Sequence, residues 1–159
     1  MTLRAFAVRR GPGAPDPADR VVLDYRERFL RRKRLTTAGG AVLLVDLPET
    51  VSLEHGDAFL LEDGGLVAVE AAPETLVEVI GDATVLARIA WHIGNRHTPA
   101  EIDGGRILVQ RDHVIEDMLS RLGADTRHVH APFRPEGGAY GHGRTHGHHH
   151  GGAGDDPHG

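Results

Sequence analysis

The chain has 159 residues, enough for one domain or two small ones and too few for a large multidomain enzyme. Hydrophobic residues at 40% and charged residues at 26% lie close to globular usage, which excludes wholesale disorder, and a formal net charge of −5 argues against a protein held by non-specific contact with phosphate backbones. Disulfides, thiolate metal centres and thiol nucleophiles are excluded because there is no cysteine.

Residues 1–72 read as an all-β domain. LRAFAVRR, VVLDYRERF, AVLLVDL, AFLLED and LVAVEA are strand-like runs, punctuated by turn signals at Gly11-Pro12-Gly13, Gly39-Gly40, Gly56-Asp57 and Asp63-Gly64-Gly65. Within them Arg26–Arg34 packs six basic residues into nine positions. In a net acidic chain with few aromatics, that run is expected to be a solvated or partner-facing strand and not an RNA-binding surface.

From 73 to 135 the period changes. Glu74–Ile80 is strand-like, and Leu86, Ile89, Ala90 and Ile93 then fall at i, i+3, i+4, i+7, predicting a helix with Asp82 as N-cap that ends near Gly94 or Asn95. Ala100–Ile102 and Arg106–Gln110 flank the hairpin signal Asp103-Gly104-Gly105. A second helix begins at Asp112, buries Ile115, Met118, Leu119 and Leu122, and stops at Gly123; Thr126–Phe133 alternates as a last strand. The order β-α-β-β-α-β predicts a ferredoxin-like domain, so the expected class is α+β. Each domain is small enough that dimerisation or metal binding is a reasonable source of extra stability.

Residues 136–159 form a tail. From Gly141 onward glycine and histidine fill 13 of 19 positions, and such a segment cannot bury enough surface to order itself. Its imidazoles at His142, His146, His148, His149 and His150 can gather round a borderline transition metal such as nickel, zinc or copper. Gly147 interrupts the run, unlike a purification tag.

The remaining histidines are candidates of differing weight. His97 falls beyond the Gly-Asn stop of the first helix, on a connection, where functional residues are common. Trp91 lies nearly opposite that helix's apolar stripe, and is expected either to pack on the N-terminal domain or to enter a subunit interface. His113 follows Asp112 at the start of the second helix, where the positive end of the dipole favours a neutral imidazole. His128 and His130 share one strand face, as exposed residues or as a two-ligand clip. His113 beside Asp112 also suggests a general base, but no Gly-x-Ser-x-Gly elbow or phosphate loop accompanies it, and no catalytic constellation assembles.

Taken together, RERFLRRKRLTT, LLVDLPETVSLEHGD and DGGLVAVEAAPETLVEV, then AWHIGNRHTP, RDHVIEDML, PFRPEGGAYGHG and the histidine tail, resemble the UreE family, the urease accessory nickel metallochaperones. The resemblance spans nearly the whole chain. It implies a cytoplasmic homodimer that catalyses no reaction, with an N-terminal β domain for partner contacts and a ferredoxin-like domain that dimerises and binds metal. His97, in GNRH, is then the ligand at the subunit interface, where a residue near a two-fold axis meets its own copy. Some members carry His-Asp-His at the second helix start; here the segment is Arg111-Asp112-His113, with His113 matching the second histidine and Arg111 replacing the first. The tail would add capacity. Ni²⁺ is the implied cargo, with Zn²⁺ or Cu²⁺ able to compete, and the implied partners are the urease apoprotein and the urease accessory GTPase complex, with no nucleic acid or membrane. Nickel or zinc storage through the tail is the alternative reading.

Overall fold

The computed structural model describes residues 1–137. Its first half is one curled sheet of six strands: β1 (Thr2–Arg9), β2 (Asp19–Leu23), β3 (Phe29–Thr36), β4 (Val42–Ser52), β5 (Ala58–Leu61) and β6 (Leu66–Ala71), in the order β2-β6-β5-β1-β4-β3. Alternation along these strands puts Ala5, Val21, Leu43, Val45, Phe59, Val67 and Val69 on the inner face, where they form a core with Leu30 and Leu35. The curl brings the β3–β4 turn to the opposite edge, where the Ala38 N–H bonds the Arg20 carbonyl at 2.8 Å and the Asp19 carboxylate accepts the Gly39 N–H at 3.0 Å.

One expectation is corrected here. Val21 to Phe29 is not a single strand: β2 ends at Leu23, a turn carries residues 24–28, and the basic segment starts a strand of its own at Phe29. A register shift between Leu30 and Arg32 turns both Leu30 and Leu35 inward although their spacing breaks a period of two. The basic run is not wholly solvated either, because Arg28 is 2% exposed.

The second half carries β7 (Pro73–Ile80), α1 (Ala83–Asn95), β8 (Ala100–Asp103), β9 (Arg106–Gln110), α2 (His113–Arg121) and β10 (Asp125–Pro132). Its four-stranded sheet runs β10-β7-β9-β8 with every neighbouring pair antiparallel. Both helices lie on one face, burying Ile89, Ile93, Ile115 and Leu119 against Val77, Val79, Ile107 and Val109. Asp82 and Asp112 cap the helices by accepting backbone N–H groups, and Gly123 takes φ 72° just past α2, as its place after a helix requires.

The other face of this sheet meets the first half. Leu76 and Leu108 pack with the fully buried Phe133, and the Tyr25 ring meets Phe133 edge-on at 5.3 Å. Arg28 crosses the junction, donating from Nε to the Leu53 carbonyl at 3.2 Å, from Nη1 to the Leu23 carbonyl at 2.9 Å, and from Nη2 to the Phe133 carbonyl. Glu74 accepts the Tyr25 N–H at 3.0 Å and Gln110 Nε2 at 2.8 Å, closing the same seam. On that sheet face Glu78 is 3% exposed between Arg106 and Arg127, each at 2.8 Å.

Candidate functional site

His97 sits at a corner built by the backbone. Arg96 is the C-cap of α1; the His97 N–H bonds the Gly94 carbonyl at 3.0 Å and the Thr98 N–H bonds the Ile93 carbonyl at 3.4 Å. This is the paired-bond helix ending in which the residue after the cap is left-handed, and glycine usually occupies it. Here His97 does, at φ 53°, one of two non-glycine residues with positive φ among those described. An L side chain pays roughly 1–2 kcal/mol in that conformation. The imidazole is exposed.

Around this corner lies a depression of about 320 Å³, lined by His97, Thr98, Pro99, Gln110, Arg111, Asp112, Ile115 and, from the first half, Arg26. The end of α1 and the start of α2 therefore meet at one place. Asp112 uses Oδ1 to accept the N–H groups of Val114 at 2.8 Å and Ile115 at 3.2 Å, which fixes its carboxylate at the rim. Arg111 lies 3.8 Å from Glu116. His113 is exposed at the first position of α2 and does not line the depression. Gln110 bears no distinguishing mark in the sequence, and Arg26 stands out there only as part of the basic run 26–34; Arg26 joins the site from the first half through tertiary packing.

The other histidines are otherwise engaged or remote. His128 Nε2 lies 2.8 Å from Glu116 Oε1, so the strand face shared with His130 ties β10 to α2. His55 Nδ1 accepts the Ala71 N–H at 3.1 Å and holds a loop. Trp91 is 64% exposed and does not pack on the first half; its ring meets His92 edge-on at 5.1 Å. His142, His146, His148, His149 and His150 lie outside the described residues. Among the described residues no three His, Asp or Glu side chains are grouped to hold a metal ion. One protomer's folded part thus offers an imidazole and a carboxylate at one rim, short of a complete set.

Two family models match in succession, the UreE urease accessory protein N-terminal domain over residues 5–72 and its C-terminal domain over residues 74–159. The chain belongs to the UreE family. It is 61% identical over 143 residues to the urease accessory protein UreE of Ruegeria pomeroyi, covering 90% of this chain and 95% of that protein. The namesake of Paracoccus denitrificans is 60% identical over 133 residues, 83% of this chain and 84% of that one, and that of Rhodobacter capsulatus 53% over 148 residues, 93% of each. UreE proteins are accessory proteins of urease and not enzymes, which gives this chain a role in urease maturation. No helix among the described residues is long and apolar enough to cross a membrane.

Proposed function

We propose that the protein is a cytoplasmic nickel metallochaperone whose second half, a ferredoxin-like domain spanning 73–135, dimerises and holds Ni²⁺ between two copies of His97. It passes the ion to the urease apoprotein with its accessory GTPase complex, and the 1–72 domain serves partner contact. The observation that carries this reading is the His97 corner: an exposed imidazole in a left-handed cap position that lines one depression with Asp112, with no group of three His, Asp or Glu able to hold a metal among the described residues. A two-fold axis near that corner would double the donor set without any second motif, and neutral imidazole suits nickel far better than it suits magnesium or calcium. Because copper stands above nickel and zinc in intrinsic affinity for nitrogen ligands, Cu²⁺ and Zn²⁺ compete in vitro. The exposed Trp91, on the same helix as the corner, supports the dimer, since tryptophan is enriched at interfaces.

The tail begins within reach of this corner. The Glu136 N–H bonds the Ala100 carbonyl at 2.8 Å, and only Thr98 and Pro99 separate His97 from Ala100. Calorimetric nickel titration of the full chain beside one ending at Gly137, each with and without His97→Ala, tests the assignment. The shortened chain is expected to keep about one tight ion per dimer and to lose it with His97→Ala. A tight ion that survives His97→Ala in the shortened chain rejects the site, and its absence from the unsubstituted shortened chain leaves the storage reading in its place.

A further inference from the structure

The depression at His97 carries an excess of positive charge before any metal enters it. Arg26 and Arg111 both line it, against the single carboxylate of Asp112. That carboxylate is partly engaged, since its Oδ1 accepts the Val114 and Ile115 N–H groups. The other acids around the two arginines have partners of their own. Near Arg26 in the chain, Asp24 accepts the Glu27 N–H at 2.8 Å and Glu27 accepts the Asp24 N–H at 3.0 Å, and Arg26 makes no ion pair among the described residues. Glu74 accepts the Tyr25 N–H and the Gln110 side chain. Glu116 Oε1 lies 2.8 Å from His128 Nε2 and only 3.8 Å from Arg111 Nε.

Both arginines are exposed, so in a separate protomer water screens them. Closure of a second copy over the corner would remove much of that water, and repulsion between guanidinium and a divalent ion grows as the effective dielectric falls. His97 offsets none of it, because imidazole ligates in its neutral form. Arginines at such a place oppose a metal unless an anion stands between them. The planar guanidinium fork matches a carboxylate-type oxyanion, and an oxygen of that anion is left to face the metal. Nickel takes mixed nitrogen and oxygen ligands, so an oxyanion oxygen beside two imidazoles suits it.

We infer that the His97 depression takes up a small carboxylate-type oxyanion together with the metal, held by Arg26 and Arg111 and ligating the ion through an oxygen that the arginines leave free. The inference rests on the nickel reading above and supplies a donor that the folded chain lacks. Metal and anion are then linked, each raising the affinity for the other by the same factor. Two sources offer this chemistry: bicarbonate in solution, and the carboxylates of Asp155 and Asp156 in the chain's own terminal segment.

The test is calorimetric nickel titration of the full-length chain in buffer freed of carbon dioxide, in bicarbonate, and in chloride at the same ionic strength, with His97→Ala marking the tight component and a melting curve for every variant. Asp155→Asn with Asp156→Asn separates the sources: a weaker tight component in bicarbonate-free buffer assigns the anion to the terminal segment, and an unchanged one assigns it to solution. In that double-Asn chain, bicarbonate should strengthen the tight component roughly tenfold, a usual size for coupled ligands, and chloride, with no second atom to span metal and guanidinium, should not. Bicarbonate competes for nickel in solution, so this gain runs against the competition. Adding Arg26→Gln and Arg111→Gln should act in two directions, tightening nickel binding in bicarbonate-free buffer and abolishing the bicarbonate gain. Each single arginine substitution decides if the pair does not fold. A tight component in the double-Asn chain that ignores bicarbonate, or a gain that survives loss of the arginines, overturns the inference. A wild-type chain with no component sensitive to His97→Ala sinks the nickel site itself, which is a separate result.

Discussion

The junction between the two sheets and the depression at His97 use polar side chains in opposite ways. At the junction Arg28 is withdrawn from water and given three backbone carbonyls, and burial pulls its guanidinium below its ordinary pKa, with Glu74 and Asp24 opposing. At the depression His97 is left exposed, strained by its backbone and short of a full ligand set. On the proposed function, stability is concentrated in the first region and ligand capacity in the second. If that division is real, substitutions in one region should leave the property of the other nearly untouched.

Arg28→Ala should cost the most, about 3–5 kcal/mol, because it strips three buried carbonyls of their donor and opens a void beneath Tyr25 and Phe133. Urea denaturation of the apo chain measures it. The folded fraction of the variant should still bind nickel with the stoichiometry of the parent chain. A change of stoichiometry in that fraction would mean that the junction also shapes the metal site.

Glu78→Gln should come next, at about 1–2 kcal/mol, since Arg106 and Arg127 reach solvent and can rehydrate. The hydrogen bond from Arg106 holds the Glu78 carboxyl below its ordinary 4.5, against the opposing pull of burial, and the bond from Arg127 adds to the lowering. A depressed folded-state pKa contributes stability above the unfolded value and loses it as pH falls through the folded one. Wild type should therefore exceed the variant at neutral pH, and the gap should close below about pH 4.5, as paired melting curves across that range would show. A gap that widens toward acid would mean that another group governs this seam.

How far the sequence shows these two regions differs for physical reasons. The helix starts at Asp82 and Asp112, the stop at Gly123 and the Asp103-Gly104-Gly105 hairpin are local chemistry, and the structure has them where the residues say. β3 is harder to read. Its inward leucines straddle a bulge and four exposed cations fill the gap between them, so no period of two survives. Arg28 carries no local mark of burial either, because its acceptors come from Leu23, Leu53 and Phe133, far apart in the chain. His97 could be placed on a connection, but its left-handed φ could not, since the glycine that normally signals such a corner is absent. Arg26 reaches the depression only through the packing of the two halves, whereas Gln110 adjoins Arg111 and Asp112 in the chain.

The smallest effect on stability gives the sharpest division. His97→Gly should stabilise the apo protein, because glycine takes the left-handed cap without the steric cost that histidine bears there. That cost is roughly 1–2 kcal/mol, and the extra freedom glycine gives the unfolded chain offsets part of it, leaving a net gain of about 0.5–1 kcal/mol. For a chain of this size the melting temperature should rise by a few degrees at most, about 2–4 °C per kcal/mol. In the chain ending at Gly137, the same substitution should abolish tight nickel binding. A gain in stability together with a loss of binding would show that the corner keeps histidine for its ligand chemistry and at the expense of the fold. If His97→Gly instead lowers the melting temperature, the imidazole packs for stability in the apo protein, and the two regions are not divided as their geometry suggests.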